Sequence, residues 1–215
     1  MAHPVKGTTE AGRRRESRAH ETRRRIIEAG LRLFLKKGYA NTTVDGIARA
    51  ARVAPATIYQ AFGTKHAVLA AALDVTIAGD DTPLAVLDQD WVHDARRDKN
   101  QGRQLRLIVE GASLIAARTA PLKEILRDAA ATDAAARELT REDHNRRHRT
   151  QAGLVDVLIE NRPLRAGIDR RRAVDTFFAL VNSATYELLV TQRGWTLAQW
   201  QAWIADIIER ELFGI

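Results

Sequence analysis

The side chains of this 215-residue chain that could recognise a ligand most directly lie between residues 55 and 60. A helix over this stretch would expose Ala56, Thr57, Tyr59 and Gln60, a face of small and hydrogen-bonding residues. Such a face fits the major groove of DNA, because a glutamine amide can bridge adenine and the methyl groups of threonine or alanine can meet thymine. The residue types therefore indicate noncovalent contacts with base edges.

Two short predicted helices position these side chains. Thr42 or Thr43 can cap the first helix, which must end near Arg52. Pro55 suits the first turn of the second helix, because its missing N–H has no helical partner there. Apolar residues are spaced to pack the two helices together: Val44, Ile47, Ala48, Ala51, Val53, Ile58 and Phe62. Residues 43–62 thus have the spacing of a helix-turn-helix, although a three-helix core unit without that function shows the same spacing.

Positive charge is concentrated in the same part of the chain. Residues 1–65 contain 14 Lys or Arg against 5 Asp or Glu, whereas residues 66–215 contain 20 against 22, which accounts for the net charge of +7. A polyanionic partner suits the basic segment, because phosphates neutralised by Lys and Arg release condensed counterions. Nucleic acid is the favoured partner and a membrane surface is the competing one.

The residues around this motif follow the pattern of a known family without a gap. The matching positions are Ile26, Ala29, Phe34, Gly38, Tyr39, Thr43, Val44, Ile47, Ala48, Ala51, Val53, Thr57, Ile58, Tyr59, Phe62 and Lys65. Residues 22–69 therefore resemble the N-terminal domain of the tetracycline-repressor (TetR-like) family. Arg52 departs from the pattern, which usually has glycine in this turn. Since the position often needs a positive φ, we expect a cost of about 1 kcal/mol at Arg52, whose side chain could also reach a phosphate.

The resemblance implies a transcriptional regulator that binds double-stranded DNA. It implies a homodimeric repressor that a small-molecule ligand releases from a palindromic operator. It further assigns phosphate contacts to Thr43, Tyr59 and Lys65, and base-edge contacts to Pro55, Ala56, Thr57 and Gln60. The alternatives are that Tyr59 is a half-buried ring that holds the unit together and that Lys65 is an ordinary helix-surface residue. The arginine clusters 13–15 and 23–25 could follow the DNA backbone, enter a minor groove or simply be solvated.

Helical periodicity extends over the rest of the chain, so we predict an all-α fold. Residues 1–20 lack apolar periodicity and are predicted to form a disordered basic arm. Residues 21–74 are predicted to form the helix-turn-helix domain, whose first helix spans about 22–37. Residues 75–215 are predicted to form a larger helical domain for ligand binding and dimerisation.

The C-terminal helices resemble those through which family members dimerise. They carry large apolar residues that suit such an interface: Phe177, Phe178, Trp195, Trp200 and Trp203. An intrachain core explains the same residues equally simply. A ligand cavity among the helices of residues 84–190 could be lined by Trp91, Ser113, Asn182 and Tyr186, each of which could instead be ordinary core or surface.

Several other functions find no support in the sequence. The chain has no cysteine, no glycine-rich phosphate loop and no G-x-S-x-G motif, so we do not expect an enzyme. His144 and His148 lie beside Glu142 and Asp143, but a solvated polar face explains this run more simply than a metal site, and no cofactor is predicted. Without a membrane span or secretory signal, a cytoplasmic protein is expected. A DNA-binding protein without an effector is the alternative function.

Overall fold

The computed structural model describes residues 10–79, 85–160 and 162–214. These residues contain ten α-helices and no β-strand. The predicted all-α fold is confirmed. The chain divides into two compact units between Ala72 and Leu73, two residues before the predicted boundary. Within the described ranges no single helix is long and apolar enough to cross a membrane; only the bent pair 55–62 and 65–78, at 67°, would reach that length and composition together.

The first unit is built from short helices packed on one long helix. Its elements are α1 (Glu10–Lys37), α2 (Val44–Ala51), α3 (Pro55–Phe62) and the start of α4 (Lys65–Ala78). Its core contains the fully buried side chains of Ile26, Phe34, Ile47, Ile58, Val68 and Leu69. Gly30 lets α1 approach α4 closely, since a Cβ at this position would lie 2.6 Å from Val68 Cγ1.

Helix α1 begins at Glu10 rather than near residue 22. The predicted disordered arm is therefore wrong for residues 10–20, while residues 1–9 lie outside the described residues. Arginine, glutamate and alanine have high helix propensity, and a helix already nucleated by its packed half is extended at little cost. Exposed ion pairs support this extension, with Arg14 Nη2 2.6 Å from Glu10 Oε1 and Arg24 Nη2 3.1 Å from Glu21 Oε2. Apolar periodicity indicates only the half of α1 that packs on the core. It therefore did not predict the exposed helical turns before residue 22.

The second unit contains longer helices around a separate core. It comprises α5 (Asp90–Arg97), α6 (Gln101–Thr132), α7 (Ala134–Ile159), α8 (Arg170–Leu180), α9 (Ser183–Tyr186) and α10 (Leu197–Ile208), with a 3₁₀ turn at Val86–Asp88 and π-helical segments at Glu187–Gln192 and Glu209–Phe213. Ile108, Leu154, Phe177 and Trp200 are fully buried in its core. Helix α6 continues without a break through Pro121.

The helical chain between α8 and α9 is broken at Val181 and Asn182. The side chain of Asn182 caps α9 by accepting from Ala184 N at 2.8 Å and Thr185 N at 2.9 Å. From α7, Gln151 Nε2 donates to Val181 O at 2.7 Å, and Arg147 Nη1 donates to Val181 O at 3.3 Å. The break is therefore stable because side chains supply the hydrogen bonds that the interrupted helix lacks.

Candidate nucleic-acid interface

The N-terminus of α2 is fixed by Thr43, one of the two predicted caps. Thr43 Oγ1 accepts a hydrogen bond from Gly46 N at 3.0 Å, and the residue is exposed. Thr42 is buried instead, and its hydroxyl donates to Gly38 O at 2.8 Å. Thr43 thus stands at the exposed N-terminus of a helix, where backbone N–H groups and the helix dipole favour a phosphate.

The turn between α2 and α3 has the strained conformation expected at Arg52. Its φ of 56° and ψ of 50° are left-handed, and it is the one non-glycine residue with positive φ in the described part of the chain. Val53 N donates to Ala48 O at 3.0 Å, which closes the end of α2. The expectation of a positive φ is therefore confirmed, and the exposed Arg52 side chain can extend into solvent.

The strain at Arg52 predicts a difference between two variants that both lack the arginine side chain. Arg52→Gly should be more stable to urea than Arg52→Ala by about 1 kcal/mol, because only glycine adopts this φ without a Cβ clash. Both variants should lose the same affinity for DNA, since both lose the same charge. Equal urea midpoints for the two variants would contradict a left-handed Arg52.

Helix α3 presents the residues that the sequence selected for base contacts. Ile58 is its one buried residue, whereas Pro55, Ala56 and Gln60 are exposed and Thr57 is half-buried. The N-cap residue of α3 is an alanine that makes no side-chain hydrogen bond to the first turn. The amide groups of that turn therefore remain without a side-chain cap, beside a face of small and hydrogen-bonding residues.

Tyr59 and Lys65, the two other predicted phosphate contacts, differ in their surroundings. Tyr59 exposes 56% of its surface, which leaves the residue accessible to a phosphate, and its contact with one stays a prediction. Lys65 Nζ donates to Tyr39 O at 2.8 Å and lies 3.9 Å from the centroid of the Tyr39 ring. Lys65 therefore has a packing role at the start of α4, and its contact with a phosphate stays a prediction.

Arg23 holds α1 against α3, a role that the sequence did not reveal. Arg23 Nη1 donates to Ala61 O at 3.1 Å, and its guanidinium lies 4.2 Å from the centroid of the Phe62 ring. These contacts anchor α1 at the C-terminal turn of α3. In the sequence, Arg23 is one of three adjacent arginines, and nothing distinguishes a packed member of such a run from a solvated one.

The four residues predicted to line a ligand cavity all belong to the second unit. Trp91 packs its ring on Gly111 and donates from Nε1 to Gln89 Oε1 at 2.7 Å, while Asn182 caps α9. The Tyr186 ring makes an edge-to-face contact with that of Trp200, with centroids 5.4 Å apart. Ser113 is fully buried, and its hydroxyl has no hydrogen-bond partner among the described residues. Structural roles thus account for the polar groups of Trp91 and Asn182 but not for that of Ser113.

A buried ion pair joins α6 and α7 in the second unit. Lys123 Nζ lies 3.0 Å from Asp143 Oδ2, and Arg146 Nη2 lies 3.5 Å from Asp143 Oδ1. Burial lowers the pKa of Lys123 even though the Asp143 carboxylate raises it. Burial likewise lowers the pKa of Arg147 to about 10. The sequence indicated a solvated polar face here, because no local pattern shows that Lys123 faces Asp143.

The two histidines considered for a metal site pack on an aromatic ring. His144 and His148 contact Phe178, with ring centroids 6.4 and 5.3 Å apart, and His148 Nε2 lies 3.5 Å from Asp175 Oδ1. Burial, followed by the nearby Arg147 charge, lowers the pKa of His144. Over the ranges that the structure covers, no group of three or more His, Asp or Glu side chains is placed to hold a metal ion.

Known sequences are similar to part of the first unit. Residues 26–72 match the family described as bacterial regulatory proteins, tetR family. The HTH-type transcriptional regulator TtgR of Pseudomonas putida is 45% identical over 62 residues, which are 29% of this chain and 30% of TtgR. The chain thus matches only about 30% of the length of its first curated relatives.

Solved structures extend the similarity of fold to both units. The transcriptional regulator FadR of Bacillus subtilis, in complex with stearoyl-CoA, has a TM-score of 0.65 at 19% identity, covering 89% of this chain and 98% of FadR. NalD, the secondary repressor of the MexAB-OprM multidrug efflux pump in Pseudomonas aeruginosa, has a TM-score of 0.65 at 20% identity, covering 91% of this chain and 98% of NalD. At these identities the similarity establishes the fold alone.

Proposed function

We propose that this chain is a member of the TetR family of bacterial regulatory proteins, whose pattern residues 26–72 match, and that it is a DNA-binding repressor of transcription. The observation that carries the proposal is the exposed face of α3, with Ala56, Tyr59 and Gln60 beside the N-terminal turn of the helix. This face has the size and hydrogen-bonding groups that a major groove accepts. The curated relatives are transcriptional regulators, and the proposal assigns no catalysis to this chain.

In the proposed complex, backbone and base contacts have different roles. Thr43, Arg52, Tyr59 and Lys65 bind phosphates and fix the register of the protein on the duplex, without reading sequence. Pro55, Ala56, Thr57 and Gln60 face the base edges, where methyl contacts with thymine and an amide contact with adenine select the operator.

A footprinting experiment on the wild-type protein tests this function. The DNA that flanks its own gene, and duplexes selected by the protein from a random pool, serve as probes. We expect protection of two inverted half-sites about one helical turn apart, with an affinity that falls steeply as salt increases. Absence of protection on both kinds of probe, or binding that is insensitive to salt, would overturn the proposal.

We also propose that the repressor is a homodimer joined through its C-terminal helices. Two half-sites related by a two-fold axis require a protein with the same symmetry. Leu188 exposes 50% of its surface, and Trp195 and Trp203, whose rings meet edge-to-face with centroids 6.1 Å apart, are only partly buried. Partly exposed apolar side chains of this size supply the area that a dimer interface buries.

A charge at Leu188 should dissociate such a dimer. We expect Leu188→Glu to raise the dimer dissociation constant by at least about 100-fold, because a carboxylate would be desolvated in an apolar interface. Leu114→Glu is the matched control, since Leu114 has the same 50% exposure and lies on α6. Sedimentation equilibrium measures both variants. An unchanged dimer in Leu188→Glu, or equal dissociation in Leu114→Glu, would place the interface elsewhere.

A small molecule bound in the second unit is proposed to release the DNA. Three buried polar atoms there have no hydrogen-bond partner in the described part of the chain: Ser113 Oγ, Gln151 Oε1 and Trp200 Nε1. Since buried polar atoms are almost always paired, these atoms need partners that the protein itself does not supply, such as water or the polar groups of a ligand. FadR holds stearoyl-CoA, and a ligand that prefers one conformation here would shift the population toward the form that does not fit DNA.

Thermal-shift screening with hydrophobic metabolites, antibiotics and dyes tests for such an effector. A true ligand at 100 times its dissociation constant should stabilise the protein by about 2.7 kcal/mol and release the operator in the same concentration range. If no compound in the screen does both, a DNA-binding protein without a small-molecule effector becomes the better proposal.

A further inference from the structure

The N-terminal half of α1 is an exposed helical extension of the first unit. Every residue from 13 to 21 is exposed, whereas the packed part of the helix begins near Ile26. An exposed helix of this kind adds no apolar burial to the core of the unit. Its side chains are therefore available to an external partner.

The extension, residues 10–21, carries four arginines and three glutamates, two of which pair with Arg14 and Arg24. Arg14 pairs with Glu10 at 2.6 Å, but both side chains are about three-quarters exposed, so the pair is weak. Arg13, Arg15 and Arg18 make no ion pair within the described residues. A phosphate can therefore replace solvent around these guanidinium groups without breaking a strong protein interaction.

Helix geometry aligns three of the arginines. At 100° per residue, Arg14, Arg15 and Arg18 lie within an arc of about 100° on one side of α1. We call these three residues the arginine stripe. Because the segment is helical, the spacing of the three charges along the stripe is fixed, whereas it would vary in a disordered arm.

The contacts of Arg23 place this stripe relative to α3. Arg23 bonds to Ala61 O and packs on Phe62, so α1 passes the C-terminal turn of α3 at Arg23. At 1.5 Å per residue, residues 13–18 begin about 7 Å beyond this point along α1 and end about 15 Å beyond it. The stripe is thus a separate positive surface that lies outside the helix-turn-helix itself.

We propose that the arginine stripe binds the DNA phosphate backbone beside each half-site and thereby extends the footprint beyond the helix-turn-helix. This inference rests on the proposed function. The sequence of residues 13–21, RRRESRAHE, has no apolar face, and helices that lie on a membrane surface need one. Charge complementarity to phosphate therefore favours DNA over an anionic membrane.

The double variant Arg15→Gln/Arg18→Gln tests the proposal, because glutamine removes the charge and keeps helix propensity. Its control is Arg97→Gln/Arg171→Gln, which removes two charges from side chains that are 78% and 91% exposed in the second unit. The readout is the slope of log affinity against log salt concentration, measured on the selected operator and on poly(dI-dC). Circular dichroism verifies that α1 persists.

If the stripe binds phosphates, the slope should fall by about 0.9 for each lost contact, hence by about 3 to 4 for two arginines in each subunit of a dimer. Affinity for operator and for poly(dI-dC) should fall by similar factors, since phosphate contacts carry no sequence information. Hydroxyl-radical protection outside each half-site should disappear, while protection within it remains.

Several results would overturn the inference. Slopes that match those of the control variant would show that the stripe does not contact DNA. Arginine-dependent binding to phosphatidylserine vesicles with an unchanged DNA slope would assign the stripe to a membrane. Both of these leave the proposed function intact, because the wild-type footprint tests it separately. Failure of the wild-type protein to bind any duplex would overturn both proposals together.

Discussion

An Ala56→Glu variant is expected to lose at least about 100-fold in affinity for its operator while remaining as stable as the wild type. Ala56 is exposed in the first turn of α3, on the face proposed to enter the major groove. A carboxylate there would lie against phosphates and base acceptors, and like charges brought together at an interface cost several kcal/mol. The same carboxylate near a helix N-terminus is favourable in the free protein, so folding should not suffer.

The matched control is Ala61→Glu, because Ala61 is an exposed alanine on another side of the same helix. It should keep most of the affinity. Gln60→Ala should show a smaller loss, of about 1–3 kcal/mol, together with relaxed selection at one base pair. Fluorescence anisotropy on the selected operator, with urea unfolding in parallel, measures all three variants. Comparable losses in Ala56→Glu and Ala61→Glu would show that α3 is not the reading helix.

Removing one partner of the buried ion pair should have the largest effect on stability. We expect Asp143→Ala to lose about 3–5 kcal/mol in the free energy of unfolding, because it leaves the Lys123 ammonium buried without its carboxylate. The two groups are 3.0 Å apart, and their side chains are only 4% and 16% exposed. An exposed pair is the control: Asp94→Ala, which removes the partner of Arg97, should cost at most about 1 kcal/mol.

The double variant Lys123→Met/Asp143→Leu distinguishes two causes of the lost stability. One is the loss of packing around residue 143, and the other is the burial of an unpaired Lys123 ammonium. The double variant should recover part of the stability, because the Lys123 charge is removed together with its carboxylate, whereas the nearby Arg147 still loses the attraction of Asp143. With the single variants Lys123→Met and Asp143→Leu, the double variant completes a cycle whose free energies of unfolding in urea give the coupling energy between the two residues. A double variant as unstable as Asp143→Ala would mean that packing around residue 143, not the Lys123 charge, sets the cost.

The lowered pKa of Lys123 gives this pair a pH dependence of known sign. The unfolded chain binds more protons at Lys123 than the folded protein does, between its folded pKa and the ordinary value of 10.5. Stability from this group therefore rises with pH through that window. In Asp143→Ala the carboxylate no longer raises the pKa, so the rise should begin at lower pH. An identical pH profile in the two proteins would contradict the pairing.

The sequence by itself determined the features of the first unit that depend on neighbours along the chain. A cap at Thr42 or Thr43 and the start of α3 at Pro55 follow from local preferences of side chains and backbone, whereas the positive φ at Arg52 followed from the family resemblance. The exposed face of α3 follows from its short apolar period, which buries Ile58 and turns Gln60 outward. Such short-range signals are complete within a few residues, so they could be interpreted without coordinates.

Only the tertiary structure decided which polar residues meet across the chain. Arg23 reaches Ala61 across 38 positions, and Lys123 reaches Asp143 from another helix, although both look solvated in the sequence. The break at Asn182 is equally nonlocal, since Gln151 satisfies the freed carbonyl of Val181. Helical periodicity records burial against a core, but it carries no information about partners supplied by a distant element. The helix-turn-helix was therefore recognisable from sequence, whereas the anchoring of α1 and the charges buried in the second unit were not.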